Sequence, residues 1–236
     1  MEPDYRSNLK DSKSMKVLVI APHPDDETLG CGGTLLKHKA AGDKLFWLIA
    51  TKAYQPEWSA ETIQNKEIEI NAVAAAYDFA KVFRADLPTA RLDTVGQAEI
   101  IAQLRKVIHE VAPDCVYVNH AGDIHSDHRV IFEGCASALK PFHTSIHGVK
   151  RLLSYETLSS TDAAPPLAGT SFNPNVFCDV TAFIERKLEI MCLYASEIHP
   201  SPMPRAKESI RALARFRGAT IAAEYAEAFM LIRELT

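Results

Sequence analysis

Short apolar runs alternate with longer segments of helical periodicity through the first half of the chain. The runs are rich in β-branched residues and predict strands at Lys16–Ala21, Lys44–Thr51, Lys81–Phe83 and Cys115–Asn119. The longer segments predict helices at Thr34–Ala41, Ala60–Tyr77 and Val95–Val111. This alternation is typical of βαβ units, so we predict the α/β fold class, a three-layer sandwich in which helices cover both faces of a mainly parallel sheet.

The second half of the chain is less regular. Its apolar runs predict strands at Val149–Tyr155, Val176–Asp179 and Phe229–Arg233. Its helical patterns predict helices at Thr181–Tyr194, Ala206–Phe216 and Ala219–Ala228, the first of them capped by Thr181. Since neither a repeat nor a linker divides the chain, we predict a flexible lead-in at residues 1–14 and a single domain at residues 15–236. Its C-terminal part forms an α/β extension packed on the sheet.

Composition and charge exclude several functional classes. The 236 residues contain 26 Lys and Arg against 30 Asp and Glu, a net charge of −4, with no cluster of cations of the kind that nucleic-acid binders use. No apolar run approaches the roughly 20 residues of a membrane helix, and the N-terminus lacks the apolar core of a signal peptide. We therefore expect a cytoplasmic protein without a nucleic-acid or membrane partner.

The densest polar cluster, His23-Pro24-Asp25-Asp26-Glu27, directly follows the first predicted strand. The carboxyl ends of parallel strands are where ligands bind in open α/β sheets. Adjacent carboxylates repel one another unless a cation or a proton compensates, and a divalent metal ion is the simplest compensation. The alternative interpretation is that these acids cap the helix that follows.

A second cluster, residues 122–129, follows the fourth predicted strand and should emerge at the same edge of the sheet. Its two histidines, His125 and His128, could supply a metal ligand and an acid, base or stabilising group. Together with His23 and one of Asp25 and Asp26, they form a nitrogen and oxygen donor set. Such a set with an open water position suits catalytic zinc, with Fe(II) as the second candidate. The spacing leaves open which aspartate is the ligand.

Two other functions fit parts of this pattern. A strand, a glycine-rich turn and a helix also open a dinucleotide-binding oxidoreductase, but Gly30-Cys31-Gly32-Gly33 lacks the third glycine at the right offset. The acids before it would also repel a pyrophosphate. A non-enzymatic metal-binding module would fill all four metal positions, often with cysteine. The five cysteines here are far apart and never form a C-x-x-C pair.

The two clusters resemble the motifs of a known family, the PIG-L/LmbE zinc-dependent N-deacetylases. His23–Glu27, with the trailing residues 29–34, is similar to the HPDDE motif that opens that family's domain, and residues 125–128 are similar to its H-x-D-H motif. The resemblance implies a Rossmann-like fold and an enzyme that hydrolyses a linear amide C–N bond. It also implies that His23, Asp26 and His128 are zinc ligands.

The resemblance assigns further roles around that metal. It implies that Asp25 is the base for the metal-activated water. His125 would then stabilise the tetrahedral intermediate or donate a proton, oriented by Asp127. The expected substrate is a soluble amino sugar of the N-acetylglucosamine type or its conjugate, from which acetate is released. Family members often form trimers or hexamers, so self-association is also expected.

Three basic side chains are candidates for substrate binding. The family commonly has an arginine on the helix after the second strand, where this chain offers Lys66. Lysine is a point charge without the bidentate fork of arginine, so this contact should differ from that of the family. Arg205 and Arg217 lie in a basic C-terminal stretch that could meet a phosphate or nucleotide on the sugar. The alternative for this stretch is a solvated helix face.

Overall fold

The computed structural model describes residues 14–140, 142 and 148–236. The predicted lead-in therefore lies outside the described residues, apart from Ser14. The strands are β1 (Lys16–Ala21), β2 (Lys44–Lys52), β3 (Lys81–Pro88), β4 (Cys115–Asn119), β5 (Arg151–Tyr155), β6 (Val176–Asp179) and β7 (Ala226–Glu234). The α-helices of the described part are α1 (Asp26–Ala40), α2 (Ala60–Tyr77), α3 (Gln97–Val111), α4 (Ser126–Ala138), α5 (Ile184–Met191) and α6 (Lys207–Ala219), and Leu92–Thr94 forms a 3₁₀ turn.

All seven strands belong to one sheet with the order β3-β2-β1-β4-β5-β7-β6. The first five strands in this order run parallel, and β7 runs antiparallel to both β5 and β6. This arrangement confirms the predicted α/β fold with a mostly parallel sheet. The C-terminal part of the chain extends the sheet through β6 and β7.

Strand β1 shows why helices must cover both faces of this sheet. Successive side chains of a strand point to opposite faces, and every residue from Val17 to Ala21 is buried. Val17 and Val19 pack on one face with α1, α2, α5 and α6. Leu18 and Ile20 pack on the other face with α3 and α4. The continuous apolar run is therefore the signature of a strand at the centre of three layers.

Helix α1 begins earlier than the sequence predicts, at Asp26 instead of Thr34. The missed segment contains three glycines, which have low helix propensity. The glycines are required by packing, because a Cβ on Gly30 would lie 2.1 Å from a ring carbon of Tyr155 and one on Gly33 would lie 2.8 Å from Val180. The helix thus presses against its neighbours and does not form an open phosphate cradle, which argues against a dinucleotide site.

Two C-terminal predictions are wrong. The segment Ala219–Ala228 is not a helix, because its last residues begin β7, where Ala228 and Phe229 are buried in the sheet. Thr181 does not cap a helix either, since α5 begins at Ile184. The Thr181 hydroxyl instead accepts the backbone N–H of Tyr225 at 3.1 Å. Burial in the sheet and this hydrogen bond between distant segments of the chain outweigh the helical periodicity of the local sequence.

Candidate active site

Two loops at the carboxyl edge of the sheet form the site. One joins β1 to α1 and carries the first polar cluster, and the other joins β4 to α4 and carries the second. The loops lie side by side because β1 and β4 are neighbouring parallel strands. Asp25 turns the first loop with a φ of 126°, a conformation that costs free energy for a residue with a side chain. The buried Glu27 carboxylate accepts the Asp25 N–H at 3.1 Å and holds this turn.

Three acceptor atoms, from the β1–α1 loop and from the first turns of α1 and α4, converge on one point. His23 Nδ1, Asp26 Oδ2 and His128 Nε2 lie 3.3 Å from one another on all three sides of a triangle. Tetrahedral zinc with bonds of about 2.0–2.1 Å separates its ligand atoms by about 3.3–3.4 Å. The second oxygen of Asp26 is buried and has no hydrogen-bond partner within the described part of the chain. These three residues therefore fit a divalent metal ion.

The other nitrogen of each imidazole faces a carboxylate. Asp127 Oδ2 lies 3.0 Å from His23 Nε2, and Asp123 Oδ2 lies 2.7 Å from His128 Nδ1. A carboxylate accepts, so each ring donates its N–H there and turns its lone pair toward the triangle. Carboxylate partners of this kind fix the tautomer of metal-binding histidines. Backbone amides of Ala90 and Leu92 hold Asp127 in place.

The electrostatics of the triangle favour a cation. Burial alone would lower the pKa of both imidazoles, but hydrogen bonds and charges from neighbouring carboxylates raise the pKa of His23 to about 9 and that of His128 to about 10. Burial opposes ionisation of Asp26, yet His128 and His23 hold its pKa well below the usual range. The negative potential that draws protons onto these rings would also draw a divalent cation.

His125 offers an alternative third ligand. His23, His125 and His128 each have one ring nitrogen that lies within 4.8 Å of the corresponding nitrogens of the other two. The triangle with Asp26 is tighter, with sides of 3.3 Å that match tetrahedral zinc, so the geometry favours Asp26 over His125.

Asp127 contacts His23 and His125 through different groups. The Asp127 carboxylate binds His23, and His125 instead receives the Asp127 backbone N–H on Nδ1 at 3.2 Å. Burial and the nearby His23 and His128 lower the pKa of His125 to about 4. The ring is therefore neutral, with its hydrogen on Nε2.

Asp25 binds a cation outside the triangle, although it is adjacent to Asp26 in the sequence. Its Oδ2 lies 2.6 Å from Nη1 of Arg205. Burial raises the pKa of Asp25 well above its ordinary value, and the positive charge of Arg205 opposes this rise. The two adjacent aspartates thus have different partners in the structure, Arg205 for Asp25 and the two histidines for Asp26. The spacing in the sequence does not distinguish them.

A cavity of about 350 Å³ opens beside these residues. His23, Asp25 and His125 form part of its wall. Two of the basic residues predicted to bind substrate, Lys66 and Arg205, also line it. Sequence reasoning missed Glu197, because nothing in its spacing links this residue to the motifs.

Arg217 is the exception among the predicted substrate residues. It does not line this cavity, and its guanidinium binds the Glu156 carboxylate through two bonds, of 2.8 and 2.7 Å. The basic pattern of the C-terminal stretch could not reveal that partner, which lies 61 residues away in the sequence.

Comparison with known proteins identifies the family. The PIG-L family, described as GlcNAc-PI de-N-acetylase, matches residues 18–139, just over half of the chain. A diacetylchitobiose deacetylase from Thermococcus kodakarensis is 22% identical, with 97% of this chain and 87% of that protein covered. A probable N-acetyl-alpha-D-glucosaminyl L-malate deacetylase 2 from Bacillus anthracis is 23% identical, with 77% and 80% covered.

The crystal structure of the conserved protein TT1542 from Thermus thermophilus has the same fold. It superposes with a TM-score of 0.76 at 25% identity and covers 94% of this chain and 96% of that one. Among the described residues, no helix is long and apolar enough to cross a membrane. From the extent of the family match and the mostly parallel sheet, the chain belongs to the PIG-L family.

Proposed function

We propose that the protein is a metal-dependent deacetylase that hydrolyses the N-acetyl group of an N-acetylglucosamine-type amino sugar and releases acetate. The observation that carries this proposal is the triangle of acceptor atoms with 3.3 Å sides beside a cavity that His23, Asp25 and His125 line. The names of the relatives support it, because the T. kodakarensis and B. anthracis proteins are both called deacetylases of N-acetylated sugars.

In this proposal His23, Asp26 and His128 hold the metal ion, with zinc as the first candidate and Fe(II) as the second. Such a three-residue donor set leaves a coordination position open, as catalytic zinc sites do. When bound, zinc polarises a carbonyl group and lowers the pKa of water to about 7. The carboxylates of Asp123 and Asp127 orient the two imidazoles for this task.

Asp25 takes the proton from the attacking water. Its carboxylate lines the cavity and is held by Arg205, so its position is fixed before the substrate arrives. After the transfer, burial stabilises the protonated form of Asp25, because a neutral carboxyl group is easier to desolvate than a charged one. The same residue can then pass the proton toward the leaving amine.

His125 stabilises the negative charge that develops on the carbonyl oxygen. Its Nδ1 accepts the Asp127 N–H, so its own hydrogen lies on Nε2 and is available to the substrate. A preformed donor of this type contributes about 3–4 kcal/mol to transition-state stabilisation in comparable sites. His125 thus acts as a neutral donor.

The proposal is tested by separating metal binding from hydrolysis. Zinc-loaded wild-type protein is expected to release acetate from N-acetylglucosamine or N,N'-diacetylchitobiose. Asp25→Asn should retain zinc and lose hydrolysis, whereas His128→Ala should lose both. Loss of zinc in Asp25→Asn together with retention in an Asp26→Asn variant would show that the two aspartates are assigned in the wrong order. The proposed activity would be contradicted if fully zinc-loaded wild-type protein released acetate from neither compound.

A further inference from the structure

One wall of the cavity carries a carboxylate that the proposed chemistry does not use. Glu197 follows α5 and is held from two sides, by Lys66 of α2 at 2.5 Å and by Nη1 of Arg205 at 2.6 Å. Burial opposes its ionisation, but the two cations keep the pKa of Glu197 below its ordinary value. Glu197 is therefore a fixed negative charge facing the cavity.

Glu197 lies close to the reacting groups. The same Arg205 nitrogen that binds it also binds Asp25 Oδ2, and each of the two distances is 2.6 Å. The two carboxylate oxygens are thus no more than about 5 Å apart, a separation that a single sugar ring can span. With an acetamido group beside Asp25, the substituents on the neighbouring ring carbons would reach Glu197.

The cations of the cavity wall already have carboxylate partners. Arg84 binds Glu67 at 2.9 Å, and Lys52 lies 3.9 Å from Asp86. Lys66 has a second partner besides Glu197, the Glu69 carboxylate at 3.2 Å. Within residues 14–140, 142 and 148–236, every Lys and Arg of this wall has a carboxylate within 4 Å, so the positive charge that an incoming anion would meet is already partly compensated.

Beyond Arg205, two arginines of the basic C-terminal stretch do not supply an anion site in the cavity either. Arg211 and Arg217 belong to α6 and do not line the cavity. Arg211 binds both carboxylate oxygens of Glu185, and Arg217 binds both of Glu156. The phosphate or nucleotide contact suggested by their sequence pattern therefore has no support from their positions.

We propose that Glu197 makes the cavity selective for uncharged N-acetylhexosaminides. This inference rests on the proposed deacetylase function. A hydroxyl or a neutral glycosidic group on a carbon next to the acetamido carbon can lie against the paired Glu197 and Arg205, because a carboxylate accepts a hydroxyl hydrogen and a guanidinium donates to oxygen. A phosphate at the same position meets the negative charge of Glu197, which disfavours it.

The test compares two substrates that differ in one charged group. Methyl N-acetylglucosaminide is neutral, and N-acetylglucosamine 1-phosphate carries its charge on the carbon next to the acetamido carbon. We expect wild-type protein to prefer the neutral compound by at least about 10-fold in kcat/KM. Glu197→Gln should reduce this preference by about 10-fold or more, chiefly by lowering KM for the phosphate, because Lys66 and Arg205 lose a negative neighbour. Glu189→Gln, which removes an exposed charge paired with Arg186, is the control and should leave the preference unchanged.

Two results would overturn this inference. The first is a wild-type preference for the phosphate, and the second is a Glu197→Gln variant that changes both kcat/KM values by the same factor. Calorimetric titration with the deacetylated products, methyl glucosaminide and glucosamine 1-phosphate, gives the same comparison without turnover. If wild-type protein hydrolyses neither of these substrates and neither N-acetylglucosamine nor N,N'-diacetylchitobiose, the proposed function fails, while these titrations still decide whether Glu197 selects against the phosphate.

Discussion

Replacement of Asp123 by asparagine tests the hydrogen bonds that orient the proposed metal ligand His128. Asp123 Oδ2 accepts from His128 Nδ1 at 2.7 Å, and its Oδ1 accepts from the Thr161 hydroxyl at 2.5 Å. The Thr161 hydroxyl already accepts the Thr157 N–H at 2.8 Å, so its hydrogen is directed at Asp123. The carboxylate thus serves two donors at once. An asparagine side chain offers a single acceptor oxygen and an NH₂ group that can only donate.

In Asp123→Asn one of the two donors must therefore face the NH₂ group. If that donor is His128, the ring shifts its hydrogen to Nε2, the nitrogen that faces the triangle. Loss of a carboxylate partner of this kind typically weakens metal affinity by about 10- to 100-fold, which corresponds to about 1.4–2.7 kcal/mol. Competition with a chelator of known zinc affinity measures this change, and thermal denaturation without metal checks that the fold is retained.

Asp43→Asn is a matched control for this experiment. Asp43 Oδ2 also lies 2.7 Å from a histidine nitrogen, Nδ1 of His38, but this pair is remote from the proposed metal ligands. We expect Asp43→Asn to leave zinc affinity within about twofold of wild type. Equal losses of zinc affinity in both variants, or wild-type affinity in Asp123→Ala, which removes both acceptor oxygens, would refute the proposed orientation of His128.

Three further predictions concern other parts of the molecule. His125→Ala should keep its zinc and lower kcat by about 10²- to 10³-fold, and zinc analysis with acetate release would disprove the proposed role if kcat stayed at the wild-type value. Gly30→Ala should destabilise the fold by about 1–3 kcal/mol or more, because its Cβ would overlap the buried Tyr155 ring; urea denaturation measures this, and unchanged stability would contradict the packing described for α1. Arg217→Ala should leave KM for acetate release unchanged, since Arg217 binds Glu156 outside the cavity; an increase of tenfold would show that it contacts substrate.

The sequence predicts the elements that carry the site better than it predicts their ends. The apolar runs at β1 and β4 are buried on both faces, which leaves a continuous hydrophobic signal. The start of α1 is missed because its glycines satisfy packing against Tyr155 and Val180 at the expense of helix propensity. The false helix at Ala219–Ala228 arises because β7 is defined by its neighbours in the sheet and not by local pattern.

At the site, residue types are predictable and orientations are not. The two motifs indicate a metal centre of nitrogen and oxygen donors. Asp25 and Asp26, however, are adjacent residues of the same type, so the sequence alone does not show which of them faces the metal. Their separation depends on the positive φ of Asp25, which turns its side chain to Arg205, 180 residues away. Glu197 is likewise recognised through its partners in space, Lys66 and Arg205.

Acetate release measured as a function of zinc bound per chain tests the central claim most directly. Metal-free protein is titrated with zinc in the presence of N,N'-diacetylchitobiose, and bound zinc and free acetate are measured on the same samples. We predict that activity rises in proportion to bound zinc, reaches its plateau at one ion per chain, and is lost in Asp26→Asn together with tight zinc binding. Acetate release that is independent of bound zinc, or undiminished in a metal-free Asp26→Asn variant, would contradict a metal-dependent deacetylase.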